Sequence, residues 1–97
     1  MRIRLLPQAE ADMADAVDFY VSEGGAEAAR ELVLEVRRLA GVLTAWPRLG
    51  RDVGQGVRII SARRFPYDLV YRADRDEVVI LALAHHSRSP GFWRSRL

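Results

Sequence analysis

The chain has 97 residues, 49% of them apolar and 29% charged, and it contains no cysteine. These values set the expectation of one domain, residues 1–97, and argue against disorder, disulfide scaffolds, thiolate metal sites and cysteine nucleophiles. Net charge is only +2, yet residues 1–57 carry seven arginines against nine acids and residues 58–97 carry eight against four, an acidic half followed by a basic one.

Arg2 to Leu6 alternates and then runs apolar, as a first strand does. Pro7 ends it and suits the first turn of a helix, where its missing N–H leaves no bond unmade. From Gln8 to Ser22, Ala9, Met13, Val17 and Tyr20 recur at helical spacing, while Glu10, Asp12, Asp15 and Asp18 form an acidic face expected in solvent. Gly24 and Gly25 interrupt this helix. A second is expected from Ala26 to Thr44, with Ala29, Leu32, Val33, Val36, Leu39, Ala40 and Leu43 inward. The spacings of Glu27 with Arg30 and of Glu35 with Arg38 allow ion pairs along its wet side. Trp46-Pro47 stops it, and the short connection between the two helices makes them an antiparallel hairpin.

The remainder reads as strand. Residues 57–65 and 67–73 alternate, and residues 77–85 are apolar on both faces, which places that strand inside a covered sheet. Ala73 to Asp76 is a polar hairpin turn. The order is β-α-α-β-β-β, an α+β domain with the helical hairpin packed on one small antiparallel sheet. Strict alternation would put His85 on one face with Val79, Leu81 and Leu83. Tyr67 and Tyr71 share a core-like face with Leu69, and Trp46 and Trp93 are expected to pack. The opening run is too short for a signal peptide or a membrane span, so a cytoplasmic location is expected. Two histidines without cysteine leave no expected metal site.

FPYDLVYR (65–72) followed by ILALAHHSRSPGFWRSR (80–96) resembles the closing half of the RelE/ParE toxin superfamily. AEADMADAVDFY and the Ala- and Leu-rich helix ending in WPRLG (46–50) are similar to that family's helical hairpin and P-x-x-G loop. The resemblance covers nearly the whole chain. It implies a toxin of a type II toxin–antitoxin system, of the plasmid-stabilisation kind. A cognate antitoxin would neutralise it in a hetero-oligomer, with operator DNA reached only through the antitoxin. No cofactor and no membrane are implied. The superfamily holds two chemistries: RelE-like members cleave mRNA on the ribosome, and ParE-like members poison DNA gyrase without cleaving anything.

A metal-free ribonuclease needs a proton-transfer group near neutrality and fixed cations for the phosphorane. The candidates are His85 or His86 for the proton, with Arg58, Arg72 or Arg88 for charge. Against this, RelE-like nucleases carry a catalytic arginine after the tyrosine that opens the Y-x-L-V-Y strand. Here Tyr67 is followed by Asp68, which reverses the electrostatic sign. Phe92 and Trp93 offer no acidic proton either. The ParE-like reading needs only a surface, for which Arg58, Arg63, Arg64, Arg72, His85 and Arg88 are the expected target- or antitoxin-binding residues. All the basic residues are arginine, whose planar fork suits carboxylate and phosphate alike. The nuclease and a non-toxic module that retains only antitoxin binding remain the alternatives.

Overall fold

A computed structural model describes all 97 residues. Strand β1 (Arg2–Leu5) leads through Leu6 into helix α1 (Pro7–Gly24), with Pro7 in the first turn. Helix α2 (Ala26–Ala45) follows after one residue. That residue, Gly25, has φ +88°, a backbone state that a side chain would strain, and it lets the chain reverse without a loop. Four strands then follow, β2 (Arg51–Asp52), β3 (Val57–Ser61), β4 (Tyr67–Ala73) and β5 (Glu77–His85), and a 3₁₀ turn (Phe92–Arg96) closes the chain.

The strands form one sheet in the order β1-β5-β4-β3-β2. The α+β class and the helical hairpin are as expected, but the sheet is mixed. β1 runs parallel to β5, pairing Arg2 with Glu77 through Leu5 with Ile80, while every other pair is antiparallel. The helical hairpin carries the chain from one sheet edge to the other, so β1 is free to add outside β5. Alternation reports which face a residue occupies and is silent about strand direction. The two-residue β2 is too short to leave a periodic signal.

The helices cover one face of the sheet. Ala9, Ala16, Leu32, Leu39 and Leu43 meet Tyr67, Leu69, Tyr71, Val78, Ile80 and Leu83 in the larger core. On the opposite face a smaller core of Val57, Val70, Val79, Leu81, Ala82 and Ala84 is closed by Trp93 from the tail, 3% exposed. The tail is thus the second layer over that face.

Tyr71 pairs with Ile80 and Val70 with Ala82, so Leu81 is an extra residue and β5 carries a bulge. Leu81 and Ala82 both join the tail-side core, whereas Leu83 lies on the helix side. This corrects the expected facing. Beyond the bulge the alternation is reversed, and His85 keeps company with Leu83 and Tyr67, not with Val79 and Leu81. The His85 ring meets the Tyr67 ring edge-on at 5.1 Å.

Two further expectations change. Trp46 does not pack: it is 69% exposed, at the tip of the loop after α2. Asp12 is not part of a solvated acidic face. Its carboxylate is held 2.6 Å from Arg96 and accepts the Leu83 N–H at 3.2 Å. Of the two i,i+3 pairs, Glu35–Arg38 forms at 2.7 Å, and Glu35 also accepts the Arg63 backbone N–H at 2.6 Å.

Candidate binding cleft

Between the tail and the face of β3, β4 and β5 that the helices leave free lies a cleft of about 430 Å³. Its floor is apolar, from Ile59, Val70, Ala84 and Trp93, and its rim is cationic, from Arg51, Arg88 and Arg94. The local folding explains both. Residues of β3 and β4 that oppose each other in the ladder, such as Ile59 and Val70, share a face, and the helices cover the other one. The 3₁₀ turn then swings Phe92 and Trp93 over the free face and leaves Arg94 at the margin.

None of the rim arginines has a carboxylate within ion-pair distance, and two of them stack on aromatic rings. The Arg88 guanidinium lies 3.8 Å above the Phe92 ring centre, and that of Arg94 lies 4.7 Å from Trp93. Stacking of this kind orients a guanidinium while leaving its N–H edge free for an anion.

Asp68 supplies the one carboxylate of the cleft, and it is engaged. Oδ1 accepts the Ser61 hydroxyl at 2.7 Å and faces His86 Nε2 at 3.0 Å. The His86 backbone N–H donates to Pro66 O, so the chain leaving β5 is tied to the β3–β4 turn. His85 is fixed differently. Its Nδ1 accepts the Ser87 backbone N–H at 3.0 Å, which in the neutral ring leaves the proton on Nε2.

The structure gathers some of the expected residues and disperses others. His85, His86 and Arg88 stand together at the cleft. Arg58 is elsewhere and occupied, donating to the carbonyls of Arg48 and Gly50 at 3.2 and 2.8 Å. Arg63 and Arg64 occupy the β3–β4 turn beside α2, where Arg64 comes within 4.0 Å of Glu31. Arg72 pairs with Asp74 at the other end of β4. Tyr67 and Tyr71 mark these two ends, separated by about 13 Å at the rise of an extended strand. The five arginines therefore do not form one patch. The residues that complete the rim, Arg51 and Arg94, were not singled out from sequence. Only the position of the tail, folded back over the sheet, brings them beside Arg88.

Burial governs the titration of the two tyrosines on the helix side. It raises the Tyr67 phenol above its ordinary value, with Tyr20 adding to the effect. It raises Tyr71 too, partly offset by the Gly50 N–H and by Arg58.

The sequence profile of the ParE toxin of type II toxin–antitoxin systems, parDE, matches residues 3–90. The chain belongs to the ParE toxin family. Among solved structures, this ParE-family fold is similar to a chain of the chromosomal ParDE TA system from P. aeruginosa. The TM-score is 0.76 at 25% identity, over 88% of this chain and 95% of that one. No curated protein matches. The ParE-like order of helices and strands thus holds, and with it the reading of the chain as a type II toxin. No helix of this ParE chain is long and apolar enough to cross a membrane.

Proposed function

We propose that this toxin acts in the cytoplasm, as one domain, by binding a cellular target, DNA gyrase, without cleaving a substrate. A cognate antitoxin neutralises it by laying an acidic segment across the cleft. The observation that carries this reading is Asp68. A phosphoryl-transfer site needs positive charge where the phosphorane forms. Here that strand position holds a carboxylate committed to Ser61 and His86. A cleft with an apolar floor and three arginines free of carboxylate partners, two of them stacked on aromatic rings, suits a peptide that carries carboxylates and an apolar anchor.

The second reading, ribosome-dependent mRNA cleavage, draws on the same contact. His86 beside Asp68, close to Arg88, is a pair that could move a proton. One comparison separates the readings: supercoiling by purified gyrase against cleavage of ribosome-bound message. Lost supercoiling with intact message is expected. Cleaved message with normal supercoiling overturns the gyrase reading, and its abolition by His86→Ala would assign the proton transfer.

A further inference from the structure

The loop after α2 displays the two most exposed of the large apolar side chains, Trp46 at 69% and Leu49 at 58% exposure. With Ala45, Pro47 and Arg48 they frame a shallow apolar depression. An exposed tryptophan on a floppy loop would be unremarkable. This loop is held from beneath by the buried Tyr71 and the half-buried Arg58.

The Tyr71 hydroxyl donates to Pro47 O at 2.8 Å and accepts the Gly50 N–H at 2.9 Å, and Tyr71 itself is fully buried. Arg58 reaches from β3 to the carbonyls of Arg48 and Gly50. The loop also bonds to itself, Leu49 N–H to Trp46 O at 3.0 Å. Gly50 lies so close to Tyr71 that a Cβ there would come within 2.7 Å of the hydroxyl. The backbone that carries Trp46 and Leu49 is therefore set in place before anything binds. Rigid aromatic anchors of this kind lose little entropy on binding, and tryptophan is prominent among binding hot spots.

Charge narrows the partner. Arg48 in the depression has no carboxylate within ion-pair reach, nor do Arg30 and Arg37. Those two lie on the exposed stripe of α2 that runs through Leu34 and Gly41 to Ala45. The apolar pair selects a protein surface over a phosphate backbone, and the arginines select carboxylates around its pocket.

We infer that the Trp46–Leu49 loop is a preorganised knob that docks into an apolar pocket rimmed by carboxylates on the toxin's protein target. This rests on the target-binding reading above and adds the surface that makes the contact.

The test uses a Trp46→Ser/Leu49→Ser variant and, separately, Arg48→Glu. Both change exposed side chains, and an unaltered unfolding midpoint confirms the fold. Parent and double variant both keep the buried Trp93, so the difference between their emission spectra reports Trp46 alone. With purified gyrase, the Trp46 emission should move to the blue and lose access to a soluble quencher. The double variant should inhibit supercoiling about tenfold less well or worse, the scale of a lost hot spot. Equal inhibition by parent and variant overturns the knob while leaving gyrase as the target. If the parent does not touch gyrase, the gyrase reading fails, and growth arrest on expression decides the knob. Arrest lost in the variant sustains the knob with another target, and unchanged arrest overturns it. Trp46-dependent self-association in sedimentation, or an emission shift with a DNA duplex alone, also overturns it.

Discussion

The guanidinium of Arg96, one residue from the last, lies 2.6 Å from the carboxylate of Asp12 in the second turn of α1. Both side chains are nearly buried, 13% and 10% exposed. The pair sits where β1 ends and β5 runs on alone. Arg96 also donates to Leu81 O at 2.9 Å, and Asp12 accepts the Leu83 N–H. Two backbone groups at the bulge that no strand reaches are thus satisfied by one ion pair, which also anchors the tail.

Removing one member of this pair should cost more than removing a surface ion pair. Asp12→Ala is expected to lower stability by about 2–4 kcal/mol, because it strands both a guanidinium and a strand N–H. Urea unfolding of the two single variants and the double variant checks this. The double variant should be less destabilised than the sum of the singles. Single losses under about 0.5 kcal/mol, the range of exposed pairs, would refute the latch.

Tyr71 gives a second prediction, with a pH signature. Tyr71→Phe keeps the ring but strands the Gly50 N–H and Pro47 O, for an expected loss of about 1–3 kcal/mol. Burial raises the phenol's folded pKa, so the fold favours the neutral form. That contribution is fully present below the unfolded value, about 10, and is lost as pH rises through the folded one. Wild-type stability should therefore fall in the alkaline range more steeply than that of the variant. Parallel alkaline profiles would show that the hydroxyl is not buried in this contact.

Glu35 makes the opposite prediction in acid. The Arg38 hydrogen bond holds its carboxyl below the usual glutamate value against the effect of burial, with further help from the Arg63 N–H. A depressed folded pKa contributes stability above the unfolded value, about 4.3, and loses it as pH falls through the folded one. Glu35→Gln should flatten the unfolding midpoint between about pH 4.5 and pH 3, and Glu35→Ala should in addition loosen the β3–β4 turn, since Arg63 would lose its acceptor. Hydrogen exchange at the Arg63 amide reads the second effect. Unchanged protection there would detach the turn from α2.

The helical hairpin and the interior place of β5 were legible because they rest on local periodicity. Ala9, Leu32 and Leu39 sit inward, as their spacing required. The bulge at Leu81 was not legible, since ILALA offers apolar residues to both faces and an inserted residue leaves no gap in such a run. That hidden residue reversed the expected facing of His85. Asp12 reads as solvated by helical spacing alone, and only Arg96, 84 residues later, makes it structural. The cleft shares that difficulty: Arg51 and Arg94 become neighbours of Arg88 through the return of the tail, a long-range event that no local pattern encodes.

The cleft should discriminate by charge. If an acidic segment occupies it, Arg88→Glu and Arg94→Glu should each weaken binding of the antitoxin segment by roughly tenfold or more, with much of the loss in the association rate, as for solvent-open rim charges. Asp68→Asn removes the one negative side chain among the rim cations and should tighten binding several-fold, while disturbing only the partly exposed contacts of Ser61 and His86. The three effects should shrink together as salt rises, since the rim is open to solvent. Arg63→Glu, on the turn beside α2, serves as the control and should leave affinity nearly unchanged. Calorimetric titration at two salt concentrations measures all four. If Arg63→Glu weakened binding as much as Arg88→Glu, the antitoxin would have to be placed along the helical side of the turn and not across the sheet.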